Sequence, residues 1–473
     1  MRSSLAIALM LAASCPIVGE AAAPSGMSEA DKRVGAASHA DVVRQYGGAM
    51  TGPAADMLTR VGRRVAVEAR LSRTGDDFTV TLLDTPEFQA LATMGGYIYA
   101  TRGLLALMND EAELAAVLGH EVGHVAKRHV RLGQQRQTMS NIFAISMRIV
   151  GGAPVGQLAG KAMVDLNLGF ARGDEYVADD LGVRYLAAAG YDPAAAADAF
   201  GAMQRYQDSM ARFSLRQPGE KTPKGDHPET AARVARARQE AAKTGKQGQG
   251  ERNRAAYLAA IDGLAYGTKA EEGFFDGHEF KLPQQRMAFT IPPDTLVTTS
   301  ERGVSITARG SQAQFSEQWL EGPFSGAPDE VLSRAGAIQR FRIQSAKING
   351  LEVRYAAGLG ETPAGRPVDI DAIVYRDPIQ RRIYSITTWA PEGAGLGPFA
   401  AMVESVRSIP AGERIDLRPP RLKIVTVQPG DTIERLAAQM AVPEDGLAQF
   451  LLINGLEPGA ALTPGTSVKL LQR

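Results

Sequence analysis

Cysteine is almost absent from this chain: among 473 residues only Cys15 is one. No intrachain disulfide can form, so stability has to come from burial and from any bound metal. Net charge is missing too. The 52 Lys and Arg match 52 Asp and Glu, which removes any broad electrostatic case for binding nucleic acid. Long apolar runs are also lacking. Residues 5–13 are too few for a spanning helix, which needs about 20 apolar residues. Residues 142–150 are interrupted by Arg148 and followed by Gly151-Gly152. No transmembrane span is therefore expected in the mature chain. Tryptophan occurs only as Trp319 and Trp389, both expected to anchor cores rather than to form ligand platforms.

What remains is folded material, 44% hydrophobic and 22% charged, long enough for three or four compact units. The opening Met1-Arg2-Ser3-Ser4, the apolar stretch at 5–13 and small residues as far as Ala23 follow the order of a secretory signal peptide. Residues 1–23 are thus read as a signal and the protein as exported. Cys15 follows Leu11-Ala12-Ala13-Ser14, which resembles a lipoprotein cleavage box. Lipid anchoring at Cys15 and ordinary cleavage near Gly19-Glu20-Ala21 both stand open.

The chemistry concentrates in His120-Glu121-Val122-Gly123-His124. The residues before it, 110–118, are helix formers opened by acids, which suits a helix N-terminus. At about 100° per residue, His124 lies about 40° round from His120 and one turn along. Two imidazoles can then share one zinc ion, and Glu121 can take a proton from water whose pKa the ion has lowered. Gly119 and Gly123 each cost about 1 kcal/mol relative to Ala in a helix, so another element or a substrate is expected to approach closely there.

Such a string can also arise by chance on an exposed helix, and a catalytic zinc usually takes a third protein ligand. Glu175 and Asp179, spaced i, i+4, share a helix face. Glu175 could reach the metal while Asp179 accepts the second N–H of a ligating histidine. The bland alternative is a solvated acidic face. His129 is read as solvated at the helix end, and His39 and His278 as ordinary polar residues.

With these residues in place, the chain resembles the zinc metallopeptidase family that contains the CAAX prenyl protease, the membrane heat-shock protease HtpX and soluble periplasmic relatives. Tyr46-Gly47-Gly48, the run 95–105 and the run 181–193 extend the resemblance, which covers about residues 40–240. It implies one Zn2+ per subunit held by His120, His124 and Glu175, with Glu121 as catalytic base and Asp179 in support. It also implies that the strand-like Gly96, Tyr97, Ile98 and Tyr99 pair with an extended substrate backbone. Asp226-His227-Pro228 and Arg233 resemble a downstream element of the family. His227 is then a candidate reversible fourth ligand that keeps the site latent. Arg233 either stabilises a tetrahedral intermediate or fixes Glu175 or Asp179. Relatives often carry N-A-F-A-x-P-G-G before the strand, where this chain has Gln89-Ala90-Leu91-Ala92-Thr93-Met94-Gly95-Gly96; this bears on the substrate rim.

The expected architecture is α+β and multidomain. A mainly helical zinc-peptidase domain with a small substrate-pairing sheet spans 24–245, and a linker with a helical connector spans 246–284. A β-rich mixed domain of unreadable role spans 285–415. Residues 422–473 read as βααβ and resemble a LysM module, which implies binding to N-acetylglucosamine-containing glycans such as peptidoglycan. The leading expectation is a periplasmic zinc endopeptidase acting on misfolded or stalled envelope proteins. A peptidoglycan hydrolase and a latent scaffold closed by His227 are the alternatives.

Overall fold

The computed structural model describes residues 27–71, 75–127, 172–211, 230–300, 303–362, 365–442 and 446–473. The expectations for residues 1–23, Cys15, His129 and His227 lie outside these. No helix among the described residues is long and apolar enough to cross a membrane. The chain is mixed α and β.

Helix α1 (Glu29–Gln45) starts at Ser28, whose hydroxyl accepts from Asp31 N–H. Helix α2 (Pro53–Val67) carries a proline in its first turn and buries Met57, Leu58, Val61 and Val65 on one stripe. Strands β1 (Thr79–Leu83), β2 (Ala90–Thr93) and β3 (Tyr97–Thr101) follow. They form one sheet in the order β1-β3-β2, with β3 parallel to β1 and antiparallel to β2. Both edges of β3 are thus filled. The expectation that Gly96–Tyr99 pairs with a substrate is therefore corrected, since Thr79–Leu83 and Ala90–Thr93 already take those main-chain groups. An alternating apolar run looks the same at the centre of a sheet as at its edge, which is why the sequence misled.

Helix α3 (Arg102–Leu107) is capped by Thr101, and α4 (Glu111–Ala126) by Asp110, whose carboxylate accepts from Glu113 N–H at 2.8 Å. Glu113 returns the contact by accepting from Asn109 N–H, also at 2.8 Å. Every residue of α4 from Glu111 to His124 is buried, so this helix is the axis of the unit. Around it stand α5 (Arg172–Ala188), α6 (Ala195–Ala211), α7 (Thr230–Lys243) and α8 (Arg254–Ile261).

Residues 246–284, expected as a linker with a helical connector, do carry a helix, and that helix packs into the first unit. Tyr257, Leu258 and Ile261 of α8 lie in the same core as Val61, Leu118 and Phe200, and Tyr257 donates its hydroxyl to the Leu105 carbonyl at 2.6 Å. Arg252 ties Asp110, Asp192 and Asp198 together at 2.7–3.1 Å. The polar, glycine-rich stretch before α8 is a turn held by Asp192, whose carboxylate accepts from Gly248 N–H. Composition alone made it look free.

The β-rich unit begins earlier than expected, at Phe274. Strands β4 (Phe274–Asp276), β5 (Glu279–Leu282), β6 (Met287–Thr290) and the later β15 (Arg407–Ser408) make one sheet in the order β15-β6-β5-β4. A second sheet has the order β10-β12-β13-β14-β9-β8-β7. Its strands are β7 (Leu296–Ser300), β8 (Gly303–Ala308), β9 (Ser311–Glu317), β10 (Gln339–Arg340), β12 (Leu351–Glu361), β13 (Pro367–Arg376) and β14 (Ile383–Pro391). Strand β11 (Gln344–Ile348) also pairs with β12. Residues alternate between two apolar layers: Phe280, Phe289, Phe315 and Tyr384 on one face, Ala356, Ile370 and Val374 against helix α9 (Ala327–Arg334) on the other. Helix α10 (Ala400–Ser405) closes the first layer. Trp389 packs against the second layer. Trp319 is 86% exposed, contrary to its expected core role, because it lies two residues past the end of β9 with no sheet face to cover it.

At the C-terminal end, β16 (Arg421–Thr426), α11 (Ile433–Ala437), α12 (Gly446–Asn454) and β17 (Ser467–Gln472) follow the expected βααβ order, with β16 and β17 antiparallel. This module is not tethered but fused to the first unit. Leu422, Leu436, Phe450 and Leu470 share the core of α2 and α4, and Leu422 exchanges backbone hydrogen bonds with Gly263 and Leu264 at 2.8 Å. Lys469, fully buried, donates to the Ala106 and Met108 carbonyls at 2.7 Å. Burial pushes its amine down to about 7 against the pull of Glu113, whose carboxyl burial and Asp110 push up. Lys469→Ala strips the charge from this buried set and leaves two carbonyls unpaired. We expect a loss of about 3–5 kcal/mol, read as a lower urea midpoint. An unchanged midpoint would mean that β17 does not hold the start of α4.

Candidate metal centre

Three close backbone approaches put the functional side chains in one place. Helices α4 and α5 cross at Gly119, Gly123 and Gly182. A Cβ at Gly119 would sit 3.0 Å from the Gly182 carbonyl oxygen, one at Gly123 3.0 Å from that of Ala178, and one at Gly182 2.9 Å from His120 N. The glycines of the motif are therefore there for another helix, one of the two reasons the sequence allowed. The crossing lays Glu175 and Asp179 against His120 and His124.

The two imidazoles meet at Nε2, 3.0 Å apart. Glu175 Oε2 is 3.5 Å from His120 Nε2, and Oε1 is 3.5 Å from His124 Nε2. All three residues are buried, and they form a group able to hold a metal ion. The fit to zinc can be checked by geometry. Donors each about 2.0–2.1 Å from a tetrahedral ion are about 3.3 Å from one another, and the observed separations straddle that value. Chemistry agrees: His120 Nδ1 lies 2.8 Å from Asp179 Oδ1, which fixes the proton on Nδ1 and leaves the Nε2 lone pair facing its neighbours. Two nitrogens and a carboxylate converging in this way suit a shared divalent cation of borderline softness.

Asp179 is held in turn by Arg233. The guanidinium donates from Nε at 2.8 Å and from Nη2 at 2.7 Å, a bidentate pair. Its Nη1 is 3.8 Å from Glu175 Oε2, and its carbon lies 4.7 Å above the Phe200 ring. Burial alone would raise the Asp179 carboxyl; Arg233 and His120 overcome this and hold it well below the usual carboxylate range. Of the two roles open to Arg233, this geometry favours positioning of Asp179 and Glu175. Phe200, packed edge-on to His120 at 6.2 Å between ring centroids, escaped the sequence reading, since an isolated Phe in an alanine-rich helix carries no signal of where it points.

Glu121 is 4% exposed and follows His120 directly on α4. Among the described residues, the unpaired edge nearest this helix belongs to β2, one of the two outer strands of the sheet. Thr101 N–H donates to the Gln89 carbonyl at 3.0 Å, so alternation along the antiparallel ladder directs Leu91 and Thr93 toward β3 and turns Ala90 and Ala92 main-chain groups outward. These lie in the segment where the sequence departs from N-A-F-A. The departure itself was the available signal.

Three protein donors leave a tetrahedral ion one open position, which separates catalytic from structural sites, and a carboxylate stands beside them on the same helix. Such an arrangement is of the kind that metallopeptidases use. The comparisons point the same way: residues 54–241 match the model of peptidase family M48. Named relatives include the beta-barrel assembly-enhancing protease of Yersinia pestis, 28% identical over 148 residues, 29% of this chain and 30% of that protein. Metalloprotease LoiP of Escherichia coli is 30% identical over 153 residues, 31% of this chain and 56% of the relative. Mitochondrial metalloendopeptidase OMA1 of Arabidopsis thaliana is 35% identical over 120 residues, 25% and 24% of the two chains. The match thus spans from about a quarter to just over half of each relative's length.

Proposed function

We propose that the protein is an exported zinc endopeptidase that cuts unfolded or stalled envelope proteins held in extended conformation. The observation that carries this reading is the convergence of His120 Nε2, His124 Nε2 and Glu175 around a common point, with His120 Nδ1 tied to Asp179. His120, His124 and Glu175 would hold the ion. When bound, zinc would polarise the scissile carbonyl and acidify the attacking water. Glu121 takes the proton from that water and passes it to the leaving amine. Asp179 keeps His120 in the tautomer that offers Nε2, and Arg233 keeps Asp179 ionised and in place. The outer edge of β2 offers Ala90 and Ala92 main-chain groups to a substrate backbone, a mode that tolerates many sequences. His227 remains our candidate for a reversible fourth ligand.

The C-terminal βααβ module keeps Gln428, Pro429 and Gly430 before α11 exposed, along with Pro458 and Gly459 after α12, although Glu457 pairs with Arg205 of α6 at 3.5 Å and the module's apolar side is packed on the peptidase. A glycan could therefore be gripped without undocking, which would place the enzyme at peptidoglycan in the periplasm. The name of the Yersinia pestis relative supports an envelope setting.

Removal of the metal supplies the test. Chelated protein should stop cleaving an unfolded protein such as casein and regain activity on stoichiometric zinc, while binding to purified peptidoglycan persists. Release of wall fragments without any proteolysis would replace this reading with a peptidoglycan hydrolase.

A further inference from the structure

A cleft of about 2760 Å³ opens between the peptidase unit, the β-rich unit and the C-terminal module, away from the metal ligands. Small-molecule pockets run to about 300–1,000 Å³, so this space is built for something larger. Two strands that end their sheets, β4 and β7, line it with residues from Phe274 and Phe275 and from Leu296 to Thr299. Their outer edges are unpaired among the described residues, and neither β4 nor β7 carries the lysine or proline that usually blocks an exposed edge. Part of the charged lining is paired, as Lys269 with Asp84 at 3.1 Å, and Phe274, Phe275 and main-chain groups stand beside it. Trp319, 86% exposed, stands on the same wall.

The cleft lining and β2 are joined by a short stretch of chain. Thr85 to Phe88 line the cleft, and β2 begins two residues later at Ala90. Phe88 and Tyr206, with ring centroids 4.0 Å apart, are both part of the lining.

We propose that this cleft is a second substrate-binding surface, which holds by main-chain pairing an uncut stretch of the same unfolded polypeptide whose neighbouring segment lies along β2. The proposal rests on the endopeptidase reading above. It assigns the otherwise unread β-rich unit to substrate capture: free strand edges accept any extended chain, and Trp319 offers a rigid apolar anchor. Holding the chain at two places raises the local concentration of the scissile segment at the zinc ligands. A folded protein has no such stretch to give, so the surface selects for unfolded chains.

The test is direct binding of fluorescently labelled casein to the full-length Glu121→Gln protein, read as anisotropy. Trp319→Ala and Thr298→Lys, both at exposed positions on the cleft wall, should each weaken binding about tenfold or more. Ile379→Ala, at an 88% exposed site outside the cleft, should not. Equal affinities for all of them, or no binding by the parent, would overturn the proposal. So would a parent that sediments as a dimer and dissociates on Trp319→Ala, since a second copy would then fill the cleft. Zinc-dependent cleavage of casein by the unmutated protein is scored separately. Cleft-dependent binding without cleavage would defeat the endopeptidase reading alone, and cleavage with cleft-independent binding would defeat this inference alone.

Discussion

Glu121→Gln should abolish measurable proteolysis while leaving the protein folded and able to bind zinc. The side chain is buried on α4 beside His120, and glutamine keeps its size and one accepting oxygen but cannot take a proton. Loss of a positioned general base costs about 10²–10⁴ in rate, the equivalent of roughly 3–5 kcal/mol of barrier. Since Glu121 is assigned to the water and not to the ion, zinc content should stay at one per chain. His124→Ala should lose both. The comparison is made with turnover of casein and metal analysis on the same preparations. Proteolysis that survives Glu121→Gln would sink the assigned mechanism, and loss of zinc with it would turn Glu121 into a ligand.

The centre was more legible than the architecture around it, and the reason is local geometry. His120, His124, Glu175 and Asp179 sit at helical spacings, i, i+4 in both pairs, so one turn of each helix puts two groups on one face whatever the rest of the chain does. Glycine at 119 and 123 announced a close neighbour, though not that Gly182 would be its counterpart. Strand environment behaved differently. Tyr97-Ile98-Tyr99-Ala100 alternates in a way that fits a central strand and an edge strand equally. Only pairing with Thr79–Leu83 and Ala90–Thr93 decided it, and such pairing depends on distant segments. The same holds for the domain limits. Arg252 looks like one more surface cation in a polar stretch until Asp110, Asp192 and Asp198 are folded round it. Lys469 looks like a solvated strand residue until its amine reaches the Ala106 and Met108 carbonyls. The cause is common to both: a charge buried by partners far along the chain carries, locally, the signature of exposure.

The fused C-terminal module gives that observation a consequence for the centre. Lys469 fixes carbonyls at the end of α3, and Glu113 accepts from Asn109 N–H just before α4 begins. The start of the helix that carries His120 is therefore shaped partly by residues more than 300 positions away. The proposed wall-binding role and this structural role are compatible, because Gln428, Pro429 and Gly430 stay exposed while Leu422, Phe450 and Leu470 are in the shared core.

The second large effect is expected at Asp179. Its carboxylate accepts from both nitrogens of the Arg233 fork and faces His120 Nδ1 at 2.8 Å, so Asp179→Asn touches two functions at once. Removing one partner of a buried pair leaves the other charge uncompensated, at about 3–5 kcal/mol, and Arg233 is only 2% exposed. Loss of the group that orients a ligating histidine separately costs about 10–100-fold in metal affinity. The two losses can be told apart. In the double variant Asp179→Asn with Arg233→Met no buried cation is stranded, so thermal stability of the metal-free protein should recover in part. Zinc affinity, measured by competition with a chelator, should stay low because His120 still lacks its anionic partner. Arg233→Lys alone should fall between, keeping the charge but not the two-pronged grip on Asp179. If the double variant regained full zinc affinity, Asp179 would act only as a counter-charge for Arg233, and its assigned hold on His120 would have to be abandoned.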